Sequence, residues 1–338
     1  MRQTFDKLIR RQDLTRQETA AIFNFIMSGE ASDAQIAGLL MGMATKGIAL
    51  DELTGAAGVM RDKVLALPGG GNENEIVLDT CGTGGTPARA CGLFNISTAA
   101  AILVAACGVK VAKHGNRAAT SKCGSADVLE HLGVRLDHTP AELRQCLNEV
   151  GICFAFARNH HPAMKHVAPA RSALGVPTIF NLLGPLTNPA GAKHQLLGVY
   201  AKPLTQLLAG VLRASGSVRA WVVYADHGMD ELSTLGPTFV CELRDGELHE
   251  WTLDPTTLGL ESANIEALQV QSVAESAAAI CGIVDGERGP RRDIASLNAA
   301  AGLVIAGSAP DLPAGLKIVS DAIDRGAARA TLDKLIAF

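Results

Sequence analysis

A glycine-rich stretch between a short apolar segment and a long alanine-rich one most strongly limits what this chain can fold into. Residues 78–98 read LDTCGTGGTPARACGLFNIST. Glycines let backbone N–H groups approach an anion closely, and a helix that follows directs its positive end to the same point. The pattern predicts a strand, a phosphate-binding loop and a helix. The loop alone is a weak signal, because it lacks both the Gly-Lys-Ser/Thr ending of a P-loop and the GxGxxG spacing, and a plain structural turn also fits.

Composition argues against several classes of protein. The 338 residues are 48% hydrophobic, which supports a large buried core, and the net charge of −4 argues against a protein that coats nucleic acid. The eight cysteines form no CxxC pair, so we interpret them as reduced thiols. The sequence starts without the apolar stretch of a signal peptide, and its longest alanine-rich run is too short to span a bilayer. We therefore expect a soluble cytoplasmic protein with no membrane partner.

The first part of the chain, residues 1–68, predicts a helical domain. The segments TRQE at 15–18 and SDAQ at 32–35 have the spacing of capping boxes, and each precedes apolar residues at helical spacing. A third helix is predicted over residues 51–67. The segment PGGGNENE at 68–75 is the best candidate for a domain boundary, because proline, glycine and asparagine break regular structure.

The second part, residues 74–338, alternates short apolar runs with segments of helical length. The candidate strands are IVLDT, VKVAK, ICFAF, LLGVY and RAWVVYA, and the end of the chain is helical again. This alternation predicts an α/β domain with a central, mainly parallel sheet flanked by helices. Two alternating runs around Asp245-Gly246 predict a hairpin in addition.

Polar residues follow two of the candidate strands and suggest a phosphate site. Asn95, Ser97 and Thr98 stand where the alanine-rich helix begins, although Ser97 or Thr98 acting as a plain N-cap is the simpler alternative. Lys113 and Arg117 supply cations after the next strand, and Thr120 and Ser121 supply hydroxyl groups. Ligands of open α/β sheets lie beyond the carboxyl ends of the strands. The two loops together predict a cradle for pyrophosphate and ribose phosphate.

Two further segments carry residues suited to a metal ion and to a carboxylate ligand. Asp230 and Glu231 follow the strand RAWVVYA, and Mg²⁺ prefers one or two carboxylates together with phosphate oxygens, although adjacent acids also occur in helix first turns. Residues 159–171 read NHHPAMKHVAPAR, in which the histidine spacing argues against zinc. Arg171 suits bidentate recognition of a planar carboxylate. A structural crossover between domains is the alternative for this segment.

Taken together, the motifs resemble the anthranilate phosphoribosyltransferase family. GTGG, FNIST, KHGNRAATSKCGSAD, HHPAMKHVAPAR, MDELS and the specific TIFNLLGPLTNPAGA occur at the separations this family has. The resemblance covers the whole chain. It implies Mg²⁺-dependent transfer of the 5-phosphoribosyl group from phosphoribosyl pyrophosphate (PRPP) to the amine of anthranilate, in tryptophan biosynthesis. It also implies that the protein is a homodimer through its helical domain. Part of residues 160–190 joins this domain, and the domain forms a wall on the acceptor side.

Matching motif positions assigns roles residue by residue. The residues implied to bind PRPP are Gly82, Thr83, Gly84, Gly85, Asn95, Ser97, Thr98, Lys113, Thr120 and Ser121. Those implied to hold Mg²⁺ are Ser97, Asp230 and Glu231, and those implied to meet anthranilate are Asn116, His114, His161 and Arg171.

The sequence departs from the family pattern at three places. Thr86 replaces the acid of GTGGD, and residues 87–93 make the link to FNIST three residues longer. Arg158 stands where the family has proline, and Thr120 replaces serine. Two alternatives therefore stay open: a paralogue with the same PRPP chemistry on another aromatic acceptor, and a non-catalytic relative that binds nucleic acid.

Overall fold

A computed structural model describes residues 1–71, 75–84, 92–118, 123–226, 228–260 and 262–338. The chain begins with a bundle of helices: α1 Arg2–Ile9, α2 Arg16–Met27, α3 Asp33–Lys46 and α4 Leu50–Asp62. Both predicted capping boxes are confirmed. Thr15 Oγ1 accepts from Glu18 N at 3.2 Å, and Glu18 Oε2 accepts from Thr15 N at 2.9 Å. Ser32 and Gln35 exchange the same two bonds. Each box satisfies N–H groups that a helix start leaves without partners, and this fixes where α2 and α3 begin.

The third predicted helix is shorter than expected. Helix α4 ends at Asp62 instead of near Leu67. Beyond it, Leu65 N donates to His160 O at 2.8 Å, and Leu67 N donates to Pro189 O at 2.9 Å. These amides have partners in a distant segment, so the chain leaves the helical path there.

A seven-stranded sheet forms the centre of the second part. Its strands are β1 Val77–Gly82, β2 Lys110–Gly115, β3 Ile152–Phe156, β4 His194–Gly198, β5 Arg219–Ala225, β6 Thr238–Arg244 and β7 Glu247–Leu253. The order is β3-β2-β1-β4-β5-β6-β7, with parallel pairing from β3 to β5 and antiparallel pairing beyond β5. The predicted hairpin is confirmed, since Asp245 (φ 52°) and Gly246 (φ 79°) both adopt the positive φ that a type I′ turn requires.

Helices cover both faces of the sheet, as the alternating pattern predicts. The helices of the second part are α5 Ile96–Ala106, α6 Ser125–His131, α7 Pro140–Glu149, α8 Ala157–His160, α9 Ala168–Leu174, α10 Phe180–Leu183, α11 Pro203–Ala214, α12 Val273–Val284, α13 Pro290–Ile305, α14 Leu312–Asp324 and α15 Ala327–Ala337. Of these, α5, α7, α11 and α13 pack against the central strands. Helices α5 and α13 are almost entirely buried and pack against each other. Within the described ranges, no helix is both long and apolar enough to cross a membrane.

The bundle shares its core with the sheet and with the segment that crosses between the two. Leu197 of β4 and Val222 of β5 belong to the same buried cluster as Phe23 of the bundle. Phe180 from the crossing segment also joins this cluster, with its ring centroid 5.7 Å from that of Phe23. Burying this shared apolar surface ties the bundle to one face of the sheet.

Candidate functional site

The candidate site lies at the carboxyl edge of the parallel strands. Strands β1 and β4 run side by side and end together, with Gly82 opposite Gly198. Strands β2 and β3 likewise end together, with Gly115 opposite Phe156. Parallel pairing brings the loops after all four strands to one edge, as the rule for ligand sites in open sheets predicts.

Two strand-end glycines make room for Asp230. A Cβ atom at Gly82 would overlap the Asp230 carboxylate, and one at Gly198 would overlap the Asp230 carbonyl oxygen. Gly84 N donates to Asp230 Oδ2 at 2.9 Å. The glycine loop therefore holds the side chain of Asp230, which lies 146 positions after Gly84 in the sequence. This reason for glycine adds to the approach of backbone amides to an anion.

Asp230 and Glu231 are both buried, and Asn298 of α13 fixes the turn that follows them. Asn298 Oδ1 accepts from Leu232 N at 3.0 Å, and its Nδ2 donates to Leu232 O at 2.8 Å. Sequence reasoning missed Asn298. The available signal was an amide within the apolar segment SLNAAAG, because a buried amide requires hydrogen-bond partners.

Ser97 and the acidic pair line one small cavity. Its other walls include Thr80 and Asn298. Two carboxylates and a hydroxyl group are oxygen donors of the kind that Mg²⁺ takes, with phosphate and water completing its shell. In the part of the chain that the structure describes, no three His, Cys, Asp or Glu side chains are grouped to hold a metal ion by themselves. The arrangement therefore fits Mg²⁺ shared with a phosphate ligand.

Lys113 brings a buried cation to the same place. Its side chain is 2% exposed, and Nζ donates to Thr80 O at 2.6 Å and to Ser97 Oγ at 3.1 Å. Both contacts direct the ammonium group toward the start of α5, where an anion would also meet the helix N-terminus.

The N-cap alternative for the start of α5 is wrong. The helix begins at Ile96, so Ser97 and Thr98 lie inside its first turn and Asn95 occupies the cap position. The Asn95 amide instead donates to Cys123 O at 3.2 Å, and its backbone N donates to Ser276 Oγ at 3.0 Å. Asn95 thereby joins three segments of the domain.

The remaining predicted PRPP residues divide into two groups. Thr83 N donates to Gly198 O at 2.9 Å, which holds the loop against β4. Gly85, Thr120 and Ser121 lie outside the described residues, as do Thr86 and residues 87–91. The structure does not support Arg117 as a phosphate ligand, because its guanidinium pairs with Asp127 and Glu130.

His114 and His161 form a buried pair. Their Nε2 atoms are 3.3 Å apart, so one ring donates to the other. Burial lowers the pKa of His114 to about 3 and that of His161 to about 4, so both rings are neutral near pH 7. Neighbouring Asp79 on β1 was missed by sequence reasoning; its Oδ1 accepts from His114 N at 3.1 Å, and burial raises the pKa of its carboxyl group.

In the described part of the chain, no hydrogen bond or ring contact joins the other two predicted acceptor residues, Asn116 and Arg171, to this pair. Asn116 follows β2, and its Oδ1 accepts from Arg117 N at 2.8 Å. The Arg171 guanidinium lies 5.1 Å from the centre of the Phe180 ring, and burial lowers its pKa. Arg158 is exposed on α8. Of the four residues predicted to meet anthranilate, His114 and His161 are therefore the two that the described structure joins by a hydrogen bond.

Comparison with known proteins follows the same division of the chain. The glycosyl transferase family, helical bundle domain, matches residues 2–64, and the glycosyl transferase family, a/b domain, matches residues 74–329. The anthranilate phosphoribosyltransferase of Methylobacterium nodulans is 49% identical over 96% of this chain and 94% of its own length. That of Thioalkalivibrio sulfidiphilus is 47% identical over 100% of this chain and 98% of its own.

Solved structures agree with this similarity. The crystal structure of anthranilate phosphoribosyltransferase from Thermus thermophilus has a TM-score of 0.90 and 40% identity, covering 99% of this chain and 98% of that one. The Saccharomyces cerevisiae enzyme in complex with PRPP and Mg has a TM-score of 0.88 at 23% identity, over 99% of this chain and 96% of that one, and shows the shared fold. The chain therefore belongs to the anthranilate phosphoribosyltransferase family.

Proposed function

We propose that this chain transfers the 5-phosphoribosyl group of PRPP to the amine of anthranilate, with release of pyrophosphate, as a step of tryptophan biosynthesis. One observation carries the proposal: the glycine loop after β1, Lys113, Ser97 and the acidic pair meet at one sheet edge, where Gly84 N contacts Asp230. A relative that is 49% identical to this chain is named anthranilate phosphoribosyltransferase.

The pyrophosphate side combines a cation with backbone amides. We assign Gly82, Thr83, Gly84, Gly85, Asn95, Ser97, Thr98, Lys113, Thr120 and Ser121 to PRPP. Lys113 is already oriented by Thr80 O and Ser97 Oγ, so it needs little rearrangement to stabilise the charge of the departing pyrophosphate. Cations fixed before the reaction stabilise developing charge more effectively than mobile water.

Ser97, Asp230 and Glu231 would hold Mg²⁺ against the pyrophosphate. Their shared cavity and their oxygen donors suit this ion, and the S. cerevisiae relative was solved with PRPP and Mg. When bound, Mg²⁺ supplies positive charge for the leaving pyrophosphate. Asn298 keeps the acidic pair in place through Leu232.

The acceptor site has to hold the anthranilate amine next to C1′ of PRPP, on the side opposite the leaving pyrophosphate. We assign Asn116, His114, His161 and Arg171 to anthranilate, and Arg171 suits its carboxylate. The anthranilate amine is neutral near pH 7, so no strong base is required, which agrees with a histidine pair held neutral by burial. We propose direct displacement at C1′ through an oxocarbenium-like transition state, in which the protein contributes position.

We also propose that residues 1–68, joined by part of 160–190, form the acceptor-side wall and a homodimer interface. Phe180 packing against Phe23 supports the first role. Ile9 is 79% exposed and Met41 is 38% exposed on two bundle helices that pack together, which supports the second. Light scattering of wild type and Ile9→Asp would test the dimer, with a monomeric variant as the expected result. The cytoplasmic location stays a prediction.

The activity is tested by following anthranilate consumption with PRPP and Mg²⁺, in wild type and in the Asp230→Ala/Glu231→Ala variant. We expect turnover in wild type and none in the variant. Folded wild-type protein without turnover would contradict the proposal, and a panel of other aromatic amines would then identify a different acceptor. Salt-dependent retention on a polyanion column would favour a nucleic-acid-binding relative.

A further inference from the structure

Two short stretches on either side of residues 119–122 are held in direct contact. We call residues 116–118 and 124–126 the neck. Ala126 N donates to Asn116 O at 3.3 Å, and Ser125 Oγ donates to the same oxygen at 3.4 Å. A Cβ atom at Gly124 would overlap Ala118 N and lie 2.6 Å from the Arg117 carbonyl carbon. The two halves of the neck are therefore packed as closely as backbone permits.

One carboxylate, Asp127, joins both halves. Its Oδ2 accepts from Ala118 N and from Gly124 N, each at 3.0 Å. Its Oδ1 accepts from Arg117 Nη1 at 3.0 Å. Partial burial opposes the charged form, but these donors outweigh it and lower the pKa of Asp127, so the carboxylate is ionised near pH 7. Three charge-assisted hydrogen bonds on one side chain make a stiff link.

We infer that Asp127 is a positioning residue for the acceptor substrate, because it holds the neck that fixes Asn116. This rests on the proposed function, in which Asn116 meets anthranilate. Asp127 itself has no need to touch substrate. Its oxygens are committed to Arg117, Ala118 and Gly124, and it acts by keeping the Asn116 backbone against Ala126. Small displacements of a substrate-orienting group are enough to reduce binding and rate.

The chain offers a matched control in Glu130. Glu130 accepts from Arg117 Nη1 at 2.6 Å and from Nη2 at 2.9 Å, and it is exposed. Asp127→Asn and Glu130→Gln each remove one negative charge that faces Arg117. Only Asp127 also binds the backbone of the neck. An asparagine there replaces one acceptor oxygen by an amide donor, which cannot accept from the groups that face it.

The measurement is the KM for anthranilate at saturating PRPP, together with kcat. We expect Asp127→Asn to raise this KM by about 10- to 100-fold, and Glu130→Gln to change it by less than about twofold. Partial misfolding lowers the amount of active enzyme and hence the apparent kcat, but it leaves KM unchanged. A rise in KM therefore separates a positioning role from a purely structural one.

A second variant keeps the test independent of the carboxylate. Gly124→Ala forces the halves of the neck apart without changing any charge, and it should raise the anthranilate KM in the same direction. If Asp127→Asn or the folded Gly124→Ala variant keeps the KM of Glu130→Gln, the inference is overturned while the proposed function stands. Wild-type protein without anthranilate turnover overturns the proposed function and this inference together.

Discussion

The helical bundle and the carboxyl edge of the sheet both bury charged side chains, but they surround them differently. In the bundle, Glu52 accepts from Leu14 N and Ala49 N, each at 2.9 Å, and from Lys46 Nζ at 3.0 Å. At the sheet edge, Lys113 and Asp230 contact strand ends and a glycine loop beside a cavity. The first arrangement encloses a charge within the fold, whereas the second presents charge where a ligand can approach. We therefore expect substitutions in the bundle to change stability and substitutions at the edge to change catalysis.

The same substitution, glycine to alanine, should have its largest effect at the sheet edge. In Gly198→Ala the new methyl group overlaps the Asp230 backbone, so we expect kcat/KM for PRPP to fall by about 100-fold or more. In the bundle, a Cβ at Gly58 of α4 meets nothing within 4 Å. Gly58→Ala should keep wild-type kinetics and raise the free energy of unfolding by up to about 1 kcal/mol. Wild-type kinetics in Gly198→Ala would show that the position of Asp230 is unimportant.

Removing the buried cation should come next in size. Lys113→Ala deletes a preoriented donor, and we expect kcat to fall by about 100-fold, which corresponds to about 2.7 kcal/mol. Lys110→Ala is the control on the same strand, because its ammonium group pairs with Glu75 at 2.6 Å instead of facing Ser97. Steady-state kinetics of both variants provide the comparison. Equal losses of kcat would mean that Lys113 acts through the sheet and not on the pyrophosphate.

In the bundle, Glu52→Gln should reduce stability without changing substrate affinity. It weakens three hydrogen bonds of a fully buried carboxylate, and we expect the free energy of unfolding to fall by about 2–3 kcal/mol. Urea unfolding measures this loss, and Asp137→Asn, which removes an exposed carboxylate, should cost less than about 0.5 kcal/mol. If Glu52→Gln raised the KM for PRPP by more than about twofold, the expectation that bundle substitutions change stability and not catalysis would be contradicted.

The same two regions show why some features were predictable from the sequence and others were not. The capping boxes at Thr15 and Ser32 depend on residues three positions apart, and the Asp245-Gly246 hairpin depends on two adjacent residues. Such local chemistry is visible in the sequence. The early end of α4 was not predictable, because Leu67 N finds its partner in Pro189.

At the site, the motif residues around the glycine loop could be proposed from the sequence, but the long-range contacts that support them could not. Asp79 contacts His114 across 35 positions, and Asn298 contacts Leu232 across 66. Nothing in their local sequence signals these partners, since the contacts exist only once the sheet has formed. Ser97 was predicted at the start of this helix, with a plain N-cap as the alternative. The alternative fails because the helix begins at Ile96, two residues before the start that an N-cap at Ser97 requires.

The histidine pair links the two regions, and it gives the smallest expected effect. His114 belongs to the sheet edge, whereas His161 opens the segment that packs into the bundle core. Burial lowers the pKa of His161 to about 4 from an ordinary value of 6.5. Above pH 6.5 both the folded and the unfolded chain keep this ring neutral. As the pH falls below 6.5, His161 takes up a proton in the unfolded chain but stays neutral in the folded chain. The free energy of unfolding therefore falls until the pH reaches the folded pKa of about 4.

His161→Gln removes this titration and retains a group that can hydrogen-bond to His114. Between about pH 7 and about pH 5, we expect wild type to lose about 1–2 kcal/mol more unfolding free energy than the variant. Urea unfolding at both pH values measures the difference, and His249→Gln, which replaces an exposed side chain, is the control. Equal losses in wild type and His161→Gln would mean that His161 takes up its proton in the folded protein, and the neutral acceptor site proposed above would then lose its support. A flatter profile in the variant would show that burial keeps His161 neutral in the folded chain, as the acceptor site proposed above requires.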